Sequence, residues 1–279
     1  MKKRGFEQVD VFSGAGYRGN PLSVVLDGSG LDSPVMQHFT DWTNLSEATF
    51  VLPATEAQAD YKVRIFCPGR ELPFAGHPTL GTCHAWLRAG GKPKGCLIIQ
   101  ECGAGLIAIR QQGGKLWFSA PPMRRSGPLE PGELAVVARG LGLAPDDIAG
   151  HSWCNNGPNW EAVLLRSVET LRSIRPDPSV LGARDVGAIA PCPDGDGVAF
   201  EVRAFFPKDV GLAEDPVTGS LNAGLACWMI GTGLAPERYI VRQGVALARD
   251  GRVHMERDAQ GTIWVGGESV TCVEGTVLL

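Results

Sequence analysis

The sequence predicts a mixed α+β protein built from two related, strand-rich halves. Three observations carry that expectation. Short β-branched runs alternate with glycine and proline along the chain, as in strands joined by tight loops. Only a few stretches show the three- and four-residue apolar spacing of a helix. The segment "VRIFCP" at 63–68 returns as "VRAFFP" at 202–207, a period of about half the chain, which signals a pseudo-twofold pair rather than a solenoid.

In chain order, "VDVF" (9–12) and "LSVVL" (22–26) read as strands joined by the loop "SGAGYRGNP". A helix follows in "DSPVMQHFTDWTN", with Ser33 as N-cap, Pro34 at its first position and Met36, Phe39 and Thr43 on one face. "EATFVLP" (47–53) and "YKVRIFCP" (61–68) read as strands. Leu80, Cys83, His84 and Leu87 then mark a helix over 79–89 that stops at Gly90-Gly91, with His77 as its N-cap and Pro78 in its first turn. In the second half "GPNWEAVLL" (157–165) answers "GNPLSVVL" (19–26), and Leu221, Leu225 and Trp228 stripe a helix ending near Gly231.

Composition narrows the function. The chain of 279 residues is long enough for a sizeable core, and 44 % hydrophobic with 20 % charged residues is ordinary for a globular protein. A net charge of −4 and the lack of a basic stripe argue against nucleic acid or an anionic membrane as partner. The basic start "MKKRGFEQ" has no apolar stretch behind it, and no run approaches a transmembrane span, so a cytoplasmic protein is expected. The eight cysteines are scattered with no C-x-x-C pair, the pattern of free, mostly buried thiols.

The turns before the two helices are the informative places. "ELPFAGHPTLG" (71–81) sets a histidine among glycines, and "LAEDPVTGSLNAG" (212–224) does the same with an aspartate. A helix start offers unpaired backbone N–H groups and a positive dipole end, and glycine lets a ligand approach the backbone. Two such starts facing one crevice make a receptor for carboxylate oxygens. Capping explains either turn alone; their pairing favours a site. Val63 to Pro78 spans fifteen residues and Val202 to Pro216 fourteen, so one gap aligns Gly-His-Pro with Glu-Asp-Pro and puts Asp215 in the place of His77.

"NLSEATFVLP", "FCPGRELPFAGHPTLGT", "EDPVTGSLNA" and the closing "VGGESVTCVEGTV" resemble the PhzF-like proteins of phenazine biosynthesis, over essentially the whole chain. That group has the diaminopimelate-epimerase fold. The resemblance implies two pseudosymmetric halves, each a barrel-like mixed sheet around a central helix. The N-terminal half would cover 1–122, with the last strand (about 265–279) returning to it. The C-terminal half would cover 123–264, with the active site in the cleft between. It further implies a cofactor-independent isomerase, leaning to a homodimer, that moves a proton on a small carboxylate-bearing molecule resembling an amino acid or an aminobenzoate. Glu47 would be the acid/base, with His77, Asp215 and Ser220 around the substrate.

Each residue also has its own reading. Glu47 stands where a polar loop becomes an apolar strand, and a proton shuttle there needs burial to lift a carboxyl from about 4.3 toward neutrality. Asn44 and Ser46 can hydrogen-bond that carboxylate or cap a turn. His77, biased away from helix by the following proline, can donate to a substrate oxygen. Gly76 and Gly219 admit a ligand to the backbone, and Ser220 can bind substrate or cap its helix.

Alternatives are weaker. Epimerases of this fold use one thiol from each helix start, and here those places read "AGHP" and "AEDP". His77, Cys83 and His84 lack a fourth ligand at recognisable spacing, so no metal is expected. A non-catalytic small-acid binder of the same fold and an amino-acid racemase remain the competing classes. Against Glu47 the repeat sets Val186 or Gly187 of "DVGAIAP", so the second half is expected to offer no matching base.

Overall fold

The computed structural model describes residues 1–207 and 211–279 and divides them into two compact units, Met1–Ser119 with Gly266–Leu279, and Ala120–Val265. In the first, strands β1 (Lys3–Val11), β2 (Asn20–Val25), β3 (Glu47–Leu52), β4 (Tyr61–Cys67), β5 (Arg70–Leu72), β6 (Ile98–Cys102), β7 (Gly105–Gln112) and β8 (Lys115–Ser119) surround the helix α2 (Gly76–Arg88), and α1 (Ser33–Thr43) joins β2 to β3. The second unit carries β9 (Arg125–Gly127), α3 (Pro131–Leu141), β10 (Ile148–Asn155), β11 (Trp160–Leu165), α4 (Val168–Ser173), α5 (Pro178–Leu181), β12 (Asp185–Pro191), β13 (Phe200–Pro207), β14 (Leu212–Glu214), α6 (Gly219–Gly231), β15 (Arg238–Gln243) and β16 (Gly251–Arg257). After β17 (Ile263–Gly267) the last strand, β18 (Ser269–Leu278), returns to pair antiparallel with β1.

The pairings of the two units repeat. β1–β2 and β10–β11 are antiparallel, β2–β3 and β11–β12 parallel, β3–β4 and β12–β13 antiparallel. The hairpins β4–β5 and β13–β14 follow, then the parallel pairs β4–β6 and β13–β15. This is the mixed, pseudosymmetric fold expected from the resemblance.

Both central helices are buried on nearly every side, from Gly76 to Cys83 in α2 and from Leu221 to Ala226 in α6. A helix apolar all round belongs inside its sheet rather than on a surface. Close approach needs glycine at one matched place in each. A Cβ on Gly81 would lie 2.8 Å from Val11 Cγ2 of β1, and one on Gly224 would lie 2.8 Å from the Cys154 carbonyl of β10.

Strand register fixes the repeat alignment and corrects the sequence reading. Ala48 pairs with Phe66 and Val186 with Phe205, while Phe66 pairs with Glu71 and Phe205 with Glu214. Arg64 clamps Glu71 through Nε at 2.7 Å, and Arg203 clamps Glu214 through Nε at 2.9 Å. "ELPFAGHP" therefore matches "EDPVTGSL" without a gap. Ser220, not Asp215, stands where His77 stands, and Asp185, not Val186 or Gly187, stands where Glu47 stands.

Helix boundaries also shift. α1 is capped by Asp32, whose Oδ1 accepts the Val35 N–H at 3.0 Å, and the Ser33 hydroxyl accepts from Arg64 instead. α2 begins at Gly76 after Ala75, so His77 and Pro78 are helical residues rather than a cap and its neighbour. The restriction that Pro78 imposes on His77 is outweighed by burial of the whole first turn.

Candidate active site

Glu47 opens β3 beside Leu22 of β2, and His77 sits in the first turn of α2. His77 Nε2 lies 3.1 Å from Glu47 Oε2, with the two side chains 5 % and 15 % exposed. The ring nitrogen is close but not aligned as a hydrogen bond. On the other edge of the ring, Nδ1 is 3.4 Å from Nδ2 of the fully buried Asn20. An amide N–H can only donate, so Nδ1 accepts and the ring proton is on Nε2, facing Glu47. Burial pushes the imidazole down to about 3, so His77 is neutral near pH 7 and the contact is not an ion pair.

The loop that delivers Asn20 is fixed by Asp10. Its Oδ2 accepts the backbone N–H of Arg18 at 2.7 Å and of Gly19 at 2.8 Å. Of the two roles left open for Asn44, the structure gives it the cap: it ends α1 in a left-handed conformation, φ 55°, and is exposed. Ser46 is half-buried next to Glu47. Gly76 is the buried first residue of α2.

In the second unit, Gly219 is the buried first residue of α6 and Ser220 its second, so Ser220 does not cap. Its Oγ accepts the indole N–H of buried Trp160 at 3.0 Å, which leaves the hydroxyl proton to donate. Thr218 holds the N-cap position, but its hydroxyl turns to Asp215 Oδ2 at 2.7 Å. Gln243 braces this turn: Oε1 accepts the Thr218 N–H at 3.0 Å and Asn222 Nδ2 at 2.8 Å, and Nε2 donates to the Asp215 carbonyl at 3.2 Å.

Side-chain capping separates these two helices from the rest. Asp32, Ser167 and Asp177 cap α1, α4 and α5, and Glu133 closes the start of α3. α2 follows an alanine, and α6 a threonine that points elsewhere, so neither first turn has a side-chain cap. Among the described residues, then, the first-turn N–H groups of these two helices have no side-chain cap, and such groups can receive an anion.

Sequence reasoning missed Asn20, Asn156, Trp160 and Gln243. Each is buried; Asn20 and Trp160 fall in the repeated segments "GNPLSVVL" and "GPNWEAVLL", which point only to strands, and a single Asn or Gln carries no spacing signal. The cysteines are free, and Cys83, buried inside α2, is pushed up to about 12 by burial, which makes it a poor thiolate. Among the described residues, no three His, Cys, Asp or Glu side chains cluster to hold a metal ion. Nor is any described helix long and apolar enough to cross a membrane.

The family model for phenazine biosynthesis-like proteins, PhzC-PhzF, matches residues 9–275. The chain belongs to this family. It is 33 % identical to antisense-enhancing sequence 1 of Schizosaccharomyces pombe, covering 99 % of each chain. It is 32 % identical to the trans-2,3-dihydro-3-hydroxyanthranilate isomerase of Pseudomonas aeruginosa, over 97 % of this chain and 98 % of that one. The fold matches the crystal structure of a PhzF-family protein of Bacillus anthracis with a TM-score of 0.84 and 24 % identity, over 100 % of each chain. An isomerase, expected from the resemblance, agrees with this membership and with the name of the Pseudomonas relative.

Proposed function

We propose that this PhzC-PhzF protein is a cofactor-independent isomerase. In this reading Glu47 removes a proton from carbon of a small carboxylate-bearing substrate and returns it to another carbon of the same conjugated frame. The observation that supports it is the contact of Glu47 with a neutral, buried His77. A neutral imidazole does not hold the carboxylate as an ion pair. His77 keeps its Nε2 proton for a substrate oxygen, where it steadies the charge that develops as the C–H bond breaks. In the second unit the first turn of α6, with Asp215 and Ser220, is the proposed carboxylate-binding element.

The one-base reading survives the corrected alignment on a narrower ground. Asp185 matches Glu47 in register and accepts the backbone N–H of Asn159 at 3.2 Å, while Ser220, which takes the place of His77, accepts from Trp160. At these matched positions the first unit has a carboxylate and an imidazole, and the second a carboxylate and a hydroxyl. A single base returns its proton on the face it took it from, which gives a shift rather than an inversion.

The first substrate to try is the one named for the Pseudomonas relative, trans-2,3-dihydro-3-hydroxyanthranilate, together with close hydroxy and amino acids. Turnover in D₂O is followed by NMR. Isomerisation with deuterium at the receiving carbon supports the proposal. Racemisation of one stereocentre without a shift refutes it.

A further inference from the structure

The residue that follows β10, Asn156, touches the first turn of α6. Its side chain is 6 % exposed. Nδ2 donates to the Ser220 carbonyl at 2.8 Å. That bond fixes the amide orientation, because turning it over would set two acceptor oxygens against each other. The other atom, Oδ1, is buried and takes no hydrogen bond. A buried acceptor without a donor is destabilising, and native structures keep few of them.

The surroundings show what such an acceptor is for. Ser220 is held from two sides, its carbonyl by Asn156 and its hydroxyl by Trp160. The α6 turn has free N–H groups for a carboxylate and the Ser220 hydroxyl proton for an oxygen. All of these are donors. Among the described residues, two side-chain acceptors at that turn are buried and take no hydrogen bond: Oδ1 of Asn222, fully buried within α6, and Oδ1 of Asn156, which at 6 % exposure is the less enclosed of the two and the one a ligand can reach.

We infer that Asn156 is a positioning and specificity residue: its amide nitrogen holds Ser220 in place, and its Oδ1 accepts a hydrogen bond from an amine or hydroxyl next to the substrate's carboxylate. This rests on the reading above that the α6 turn binds the carboxylate, and it narrows the substrate class to amino or hydroxy acids of that pattern. Acids lacking the adjacent donor leave Oδ1 buried and unmatched and bind less well.

The test is calorimetric titration of the full-length protein with three acids of one shape: anthranilate, with an adjacent amine; salicylate, with an adjacent hydroxyl; and benzoate, with neither. Wild type is expected to bind the first two about five- to a hundredfold more tightly than benzoate. In Asn156→Ala that preference collapses to within about twofold, and benzoate affinity falls only as far as it does in Asn156→Asp, which loses the same bond to the Ser220 carbonyl. Asn156→Asp retains an acceptor but loses the donor to Ser220. It weakens all three acids and keeps their ranking, which guards against an Ala variant that simply misfolds. Equal binding of the three acids to wild type, or an Asn156→Ala variant that weakens all three alike, overturns the inference. If none of them binds wild type, the carboxylate-site reading itself fails.

Discussion

Glu47 Oε2 and His77 Nε2 are 3.1 Å apart, yet the imidazole is neutral. A carboxylate this near would ordinarily hold a histidine in its charged form. Burial acts in the opposite direction and prevails here, because the first turn of α2 is packed inside its sheet. The histidine is thereby a neutral side chain, and in the proposed reaction it is the glutamate whose proton moves.

Acid titration tests that state. A histidine whose value is lowered from 6.5 to about 3 adds stability above about pH 6.5 and loses it as the pH falls toward 3, since only the unfolded chain takes up the proton. Wild-type unfolding free energy should therefore drop between pH 6.5 and 4.5 by more than that of His77→Gln, by up to about 1.4 kcal/mol for each pH unit. Urea unfolding at each pH measures it. A charged His77–Glu47 ion pair would give the opposite sign, with stability lost as the pH rises.

Gln243 should matter for the integrity of the second unit. It is fully buried and bonds Thr218, Asn222 and the Asp215 carbonyl. Gln243→Ala strands these partners and should cost about 2–5 kcal/mol, read from the midpoint of urea unfolding. A cost within about 0.5 kcal/mol would mean that the turn before α6 is held by other contacts.

Asp185 separates the one-base reading from a two-base racemase. If it only accepts the Asn159 N–H, Asp185→Asn should keep turnover within about fivefold of wild type. A loss of about 10²-fold or more would make it a second acid or base.

The sequence made some of this legible and hid the rest for identifiable reasons. Arg64 and Arg203 in "VRIF" and "VRAF" mark the repeat because each clamps the glutamate of its own hairpin, Glu71 and Glu214. The alignment nevertheless slipped, since Gly-His-Pro and Glu-Asp-Pro look alike as turns, and only strand pairing shows that Pro73 answers Pro216. His77 was read as a cap because proline normally disfavours helix before it, and that local preference gives way to burial. Asn20 and Asn156 were invisible, since what singles them out is a neighbour distant in sequence: His77 for one and Ser220 for the other.

The central claim is that Glu47 carries the proton, and Glu47→Gln tests it most directly. The substitution preserves shape and removes the titrating group. With trans-2,3-dihydro-3-hydroxyanthranilate or whichever acid proves to be turned over, ligand affinity should stay within a fewfold, about threefold. Turnover should fall by about 10²–10⁴, and deuterium uptake from D₂O should fall with it. Near-normal turnover by Glu47→Gln would contradict the account, because the proton would then have to travel through another group.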